Sequence, residues 1–177
     1  MSGVNEKLIN EIVNKHFSLA VGTTSCKDII LSKCPNILKY HKHHHIYKMF
    51  TMKLGLVWED VFCLFGYRKL DKGADTINNE KKIIMELKNS YRTDNSSSKK
   101  GNKIKLVNTK KILQLDYELV YGVINDAIPK DYYIDYDGHS IRYITGQKLL
   151  KFVLGDEETD VVNYIIHNFN KDIFRFF

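Results

Sequence analysis

Gly73-Ala74-Asp75-Thr76-Ile77-Asn78-Asn79-Glu80-Lys81-Lys82-Ile83-Ile84-Met85-Glu86-Leu87-Lys88 is the stretch on which the fold turns. It reads as a β-hairpin. Asp75 to Ile77 is one short arm, and Asn78 to Lys81 is a polar turn of residues that tolerate unusual backbone angles. Lys82 to Lys88 is the second arm, in which Ile83, Met85 and Leu87 alternate with Ile84, Glu86 and Lys88. That alternation is the strand period, so Glu86 and Lys88 project from one face. A tight turn at Asn79-Glu80 sets Asn78 against Lys81 and Asp75 against Ile84. Glu86 is then the diagonal neighbour of Asp75, with Cα atoms roughly 7–8 Å apart. A longer turn shifts this register.

Two carboxylates and an ammonium on one patch suit a particular chemistry. Facing carboxylate oxygens hold a hard divalent cation such as magnesium, which keeps several waters. The cation polarises a phosphoryl oxygen and lowers the pKa of a bound water, and a lysine beside it orients or helps deprotonate that water. Together these parts hydrolyse a phosphodiester. A surface hairpin whose acids and lysine merely pair with one another carries the same residues, because Asp…Glu-x-Lys is a loose pattern.

The neighbouring residues sharpen the reading. Asp75…Glu86-Leu87-Lys88 resembles the signature of the PD-(D/E)xK nuclease superfamily, with Ala74 in place of the conventional proline. The string Glu86-Leu87-Lys88-Asn89, continued by Thr93-Asp94-Asn95-Ser96-Ser97-Ser98, is similar to that of type II restriction endonucleases that cleave short GG…CC sites. Trp58-Glu59, Thr145-Gly146 and Leu154-Gly155-Asp156 add to the likeness, which spans roughly the C-terminal two-thirds of the chain. The resemblance implies a Mg2+-dependent enzyme, with Mn2+ able to substitute, that cuts double-stranded DNA to 5′-phosphate and 3′-hydroxyl ends. Asp75 and Glu86 would hold the metal with help from the Leu87 carbonyl. Lys88 would act on the attacking water, and Glu59 would be a helper ligand or water-positioning group. A solvated helix glutamate is the plainer reading of Glu59. Asn89, Arg92, Thr93, Asn95, Ser96, Ser97, Ser98, Lys99, Lys100 and Lys103 are the expected DNA contacts. A cut in both strands of a palindrome calls for a homodimer, and a restriction system calls for a cognate DNA methyltransferase.

Composition sets the outer bounds. With 177 residues the chain is expected to form a single nuclease domain, helical over about 1–65 and catalytic over about 66–177. A net charge of +6 and a pI near 9.0 fit a polyanionic partner. Apolar runs are too short to span a bilayer, and the N-terminus lacks a secretory pattern. The three scattered cysteines, Cys26, Cys34 and Cys63, fit a reducing compartment, so a cytoplasmic enzyme is expected. Cys26, Cys34 and the run His41-Lys42-His43-His44-His45 match no zinc spacing and read better as a solvated basic segment.

Outside the hairpin, helices are expected over Asn5–Phe17, about Cys26–Lys33, Ile46–Phe65 with a break near Gly55, Lys99–Leu115, Gln147–Val153 and Asp160–Asn168. Gly66–Lys72 is basic and turn-like. In the helix after the serines, Lys105, Lys110 and Lys111 join Lys99, Lys100 and Lys103 on a basic face suited to phosphates. Tyr117–Ile124 is a near-continuous apolar run and hence a central strand, and Tyr132–Tyr136 is a further strand before the Asp137-Gly138 turn. Phe174–Phe177 is an apolar tail that must dock. The expected architecture is α/β: a restriction-endonuclease-like core with a mixed sheet of about four or five strands flanked by helices. Two other functions fit the same residues. One is a repair or recombination nuclease without site specificity, and the other is a non-catalytic DNA-binding protein.

Overall fold

The computed structural model describes residues 6–17, 51–90 and 96–172, with side chains at all of these but 17, 90, 96 and 168–172. The expectations for 26–33, for the histidine run and for the tail fall outside the described residues.

A mixed sheet of six strands forms the centre. Its strands are β1 (Arg68–Lys69), β2 (Thr76–Asn78), β3 (Ile83–Ser90), β4 (Glu118–Asn125), β5 (Asp131–Tyr136) and β6 (His139–Thr145). Their order across the sheet is β1-β2-β3-β4-β6-β5. The hairpin β2–β3 and the pair β5–β6 are antiparallel, whereas β3–β4 and β4–β6 are parallel. The parallel strands β3 and β4 need a crossover, which the helix α3 (Ser96–Leu113) supplies. The remaining helices are α1 (Glu6–Phe17), α2 (described over 51–63), α4 (Gly146–Leu154) and α5 (Glu158–Asp172).

Strand alternation sorts the core into two clusters. Ile83, Met85 and Leu87 of β3 join Val57, Trp58, Val61 and Phe62 of α2, and also Leu149 and Val153 of α4. Ile9 and Val13 of α1 meet Val161 and Ile165 of α5 in the same cluster. Ile84 of β3 faces the other way, with Leu119 and Tyr121 of β4 and with Leu106 and Val107 of α3. Helices therefore cover both faces, as the apolar patterning predicts. In β4, six consecutive residues are buried, which is the expected behaviour of a central strand between two helical layers. Gly122 in that strand lets α4 approach closely, because a Cβ there would lie 3.0 Å from Leu149 and 3.1 Å from Leu87.

Three expectations need correction. Residues 51–63 are one uninterrupted helix, so Gly55 makes no break. The α-helix tolerates a glycine when its neighbours are anchored, as Val57, Trp58 and Val61 are here. The stretch read as a turn before the hairpin contains β1, which pairs Arg68 with Ile77 and Lys69 with Thr76 and brings the strand count to six. Two residues are too few for an alternation to be seen. The serine triplet does not precede the following helix but makes its first turn.

Candidate active site

The hairpin turn is longer than its residues suggest. Residues 79–82 connect the arms, and the observed partners are Asn78 with Ile83, Ile77 with Ile84 and Thr76 with Met85. Lys82 takes a left-handed conformation at φ 55°, and the Asn78 side-chain oxygen accepts a 2.8 Å bond from the Lys81 amide. The expected pairing of Asp75 with Ile84 is thereby corrected by two residues. A shift of two preserves side-chain parity, so Asp75 still belongs to the face of Ile84, Glu86 and Lys88. Asp75 sits just ahead of β2, and its Oδ2 accepts a 2.8 Å hydrogen bond from the Leu87 amide. That bond brings the carboxylate alongside Glu86.

The segment carrying Asp75 is held from α3. Thr109 Oγ1 accepts a 2.8 Å bond from the Ala74 amide and donates a 2.7 Å bond to the Lys105 carbonyl. Gly73 makes this approach possible. Its φ is +92°, and a Cβ there would collide with Thr109 Oγ1.

At the centre of the site lies a four-membered ionic cluster. Lys88 Nζ is 2.8 Å from Glu86 Oε1. Lys105 Nζ is 3.0 Å from Asp75 Oδ1, 2.8 Å from Glu86 Oε2 and 3.1 Å from Glu86 Oε1. The Glu86 side chain is fully buried, whereas those of Asp75, Lys88 and Lys105 are partly exposed. Burial raises the Glu86 pKa and the neighbouring Asp75 charge adds to it, against the opposing pull of Lys105 and Lys88. Burial alone would lower the Lys105 pKa, but its bonds to Glu86 and Asp75 outweigh that and hold it above the ordinary lysine value. Lys88 also lines a cleft of about 450 Å³ between α2 and the end of β3, together with Thr51, Met52, Leu56, Leu87 and Asn89.

The structure thus brings together Asp75, Glu86, Lys88 and the Leu87 backbone. It adds Lys105, which the sequence reading placed on a phosphate-facing surface. The signal was faint: Lys105 precedes the buried pair Leu106-Val107 and lies one helical turn before the buried Thr109. Glu59 is engaged elsewhere. Its Oε2 lies 3.2 Å from Lys69 Nζ, which also reaches Asp60 at 2.6 Å. Asn89 has both ends of its amide used inside the protein, donating to the Thr51 carbonyl and accepting from Asn125, both at 2.7 Å.

Of the other expected DNA contacts, Arg92, Thr93 and Asn95 lie outside the described residues, as does the side chain of Ser96. Ser97, Ser98, Lys99, Lys100 and Lys103 occupy the first two turns of α3, at the end of β3 that carries Lys88. Lys99 and Lys103 line a cavity of about 160 Å³ with Lys130 and the rings of Tyr121, Tyr132 and Tyr143. Tyr121 and Tyr143 stack at a centroid distance of 5.5 Å, and Tyr121 is the direct β4 partner of Glu86. The two later lysines are paired with acids, Lys110 with Asp116 at 3.1 Å and Lys111 with Asp137 at 3.2 Å.

A mixed sheet with helices on both faces, and an Asp…Glu-x-Lys set on its antiparallel hairpin, defines the restriction-endonuclease-like class. Comparison with protein families agrees. The family model described as Eco47II restriction endonuclease matches residues 24–159, which is more than half of the chain. The chain therefore belongs to the Eco47II restriction endonuclease family and is a nuclease whose substrate is DNA. The match starts well ahead of the C-terminal two-thirds that the motifs covered. No curated protein matches the chain. Among the described residues, no helix is long and apolar enough to cross a membrane.

Proposed function

We propose that the protein is a type II restriction endonuclease that makes a divalent-cation-dependent cut in both strands of DNA at a short specific site. The observation that carries this reading is the convergence of Asp75 and Glu86 oxygens on one cation, the Lys105 ammonium, beside Lys88. A carboxylate pair that already receives a cation suits Mg2+, which binds through one or two carboxylates and completes its shell with water and substrate phosphate. Asp75 and Glu86 would hold the ion, with the Leu87 carbonyl as a further oxygen. When bound, the ion supplies charge stabilisation at the phosphoryl oxygens and a more acidic water.

The chain's own groups do the rest. Lys88, at the rim of its cleft, orients the attacking water through its ammonium. The first turns of α3 neutralise strand phosphates through Lys99, Lys100 and Lys103, and position the DNA without reading its sequence. Cleavage leaves a 5′-phosphate and a 3′-hydroxyl. A two-fold dimer would place one centre on each strand, and a cognate methyltransferase would protect host sites. A GG-containing site follows from the motif likeness alone.

The test is digestion of plasmid DNA of known sequence with Mg2+, followed by end mapping. Discrete fragments with ligatable 5′-phosphates are expected, whereas a smear would mean a nuclease without site preference. Lys88→Ala and Asp75→Asn should each slow cutting by about 10²–10³-fold, the scale of a lost group that stabilises charge in the transition state, while DNA binding in Ca2+ persists. Undiminished cutting by either variant sinks the assigned roles.

A further inference from the structure

We propose that the Lys105 ammonium is a resident counter-cation of the active site, which a divalent ion must displace in order to bind. The inference rests on the reading of Asp75 and Glu86 as the metal-holding pair. An ammonium has three hydrogens to donate, and Lys105 Nζ directs short bonds to Asp75 Oδ1 and to both Glu86 oxygens. Those are the oxygens a metal would take. Lys88 differs, because it touches only one Glu86 oxygen and opens on the cleft.

The placement of Lys105 is structural, not incidental. Leu106 and Val107 beside it are buried in the α3 side of the core. The Lys105 carbonyl is bonded to Thr109 Oγ1, the same atom that receives the Ala74 amide. The lysine backbone and the segment bearing Asp75 are thus tied to one side chain. The Glu86 side chain is wholly buried and lies next to a second carboxylate. Without metal, two acids in that position repel, and Lys105 keeps them together. With metal, the same ammonium is a competitor. It therefore sets how much divalent ion the site needs before it fills, and holds the ligands assembled until then.

The test measures ion binding with no DNA present. The full chain and its Lys105→Gln and Lys105→Met variants are titrated with Ca2+ and Mn2+ by calorimetry, and each is melted with and without ion. Removing the competitor should tighten Ca2+ binding about tenfold or more, since losing a contact charge outweighs the 1.4 kcal/mol that a factor of ten requires. It should also lower the metal-free melting temperature and enlarge the rise on adding ion. Variants that bind while the parent does not would support the same conclusion. Unchanged or weaker affinity in both variants overturns the role of Lys105 and leaves the metal centre standing. If Asp75→Asn binds Ca2+ as the parent does, or if no form binds an ion, both readings fall together. A Mn2+-soaked crystal of the unmodified protein gives an answer independent of variant folding. Lys105 should have left both carboxylates, and an ion bound at Asp75 and Glu86 with Lys105 still bridging them refutes displacement.

Discussion

One hydroxyl at position 109 links the sequence to the chemistry. Thr109 Oγ1 receives the Ala74 amide and donates to the Lys105 carbonyl, so it aligns the loop bearing Asp75 with the helix bearing Lys105. Thr109→Val keeps the shape but strands the buried Ala74 amide. The expected loss is about 1–3 kcal/mol in urea unfolding, the cost of an unsatisfied buried donor. Ca2+ affinity should fall with it, because Asp75 loses its placement. Thr109→Ser keeps the oxygen and should stay near the parent in both measurements. Equal behaviour of the valine and serine variants would show that the contact does not align the site. Asp75, Glu86 and Lys88 were readable from spacing and motif. Thr109 and Lys105 were not, because a threonine and a lysine in a lysine-rich helix look like every other exposed position until the helix is seated.

At the scale of elements, α1, α2 and β1 meet at Asp60. Its Oδ2 accepts from Lys15 at 3.0 Å and lies 2.7 Å from His16 Nε2, while its Oδ1 is 2.6 Å from Lys69 Nζ. Burial works to raise the Asp60 pKa, but bonds to Lys69, His16 and Lys15 overcome it and hold the carboxyl well below the usual range. A carboxylate whose folded pKa is depressed stabilises the fold above its unfolded value of about 3.9, and that contribution is lost as pH falls through the folded value. Asp60→Asn should therefore be less stable than the parent at neutral pH. The gap should close as pH falls below about 4. Urea unfolding at several pH values checks this, and a pH-independent gap would remove the ionic account. The hairpin shows the limit of reading elements from sequence. Alternation found the strand and its two faces, but turn length was set by a left-handed Lys82 that no residue preference announces.

For the whole molecule, charge is arranged along α3. Lys99, Lys100 and Lys103 lie in its first two turns, where Lys99 and Lys103 line the cavity over β5 and β6, whereas Lys110 and Lys111 in its last turn are paired with Asp116 and Asp137. Each phosphate-neutralising cation contributes about 0.9 to the slope of log affinity against log salt. Replacing the first three with Gln should lower that slope by roughly 2–3 units, measured with a duplex oligonucleotide in Ca2+. Lys110→Gln with Lys111→Gln should leave it nearly unchanged. The opposite ranking would place the DNA on the other end of the helix.

By itself the sequence determined the fold class, the central strand β4, the face shared by Glu86 and Lys88, and the nuclease signature, because strand period and apolar runs are local properties. Tertiary structure alone decided the hairpin register, the engagement of Glu59 by Lys69 and the seating of Lys105 between two carboxylates. Those depend on which surfaces meet when α2 and α3 close on opposite faces of the sheet. Lys105 stands 19 positions beyond Glu86 and 30 beyond Asp75, and only the crossover between two parallel strands brings them together.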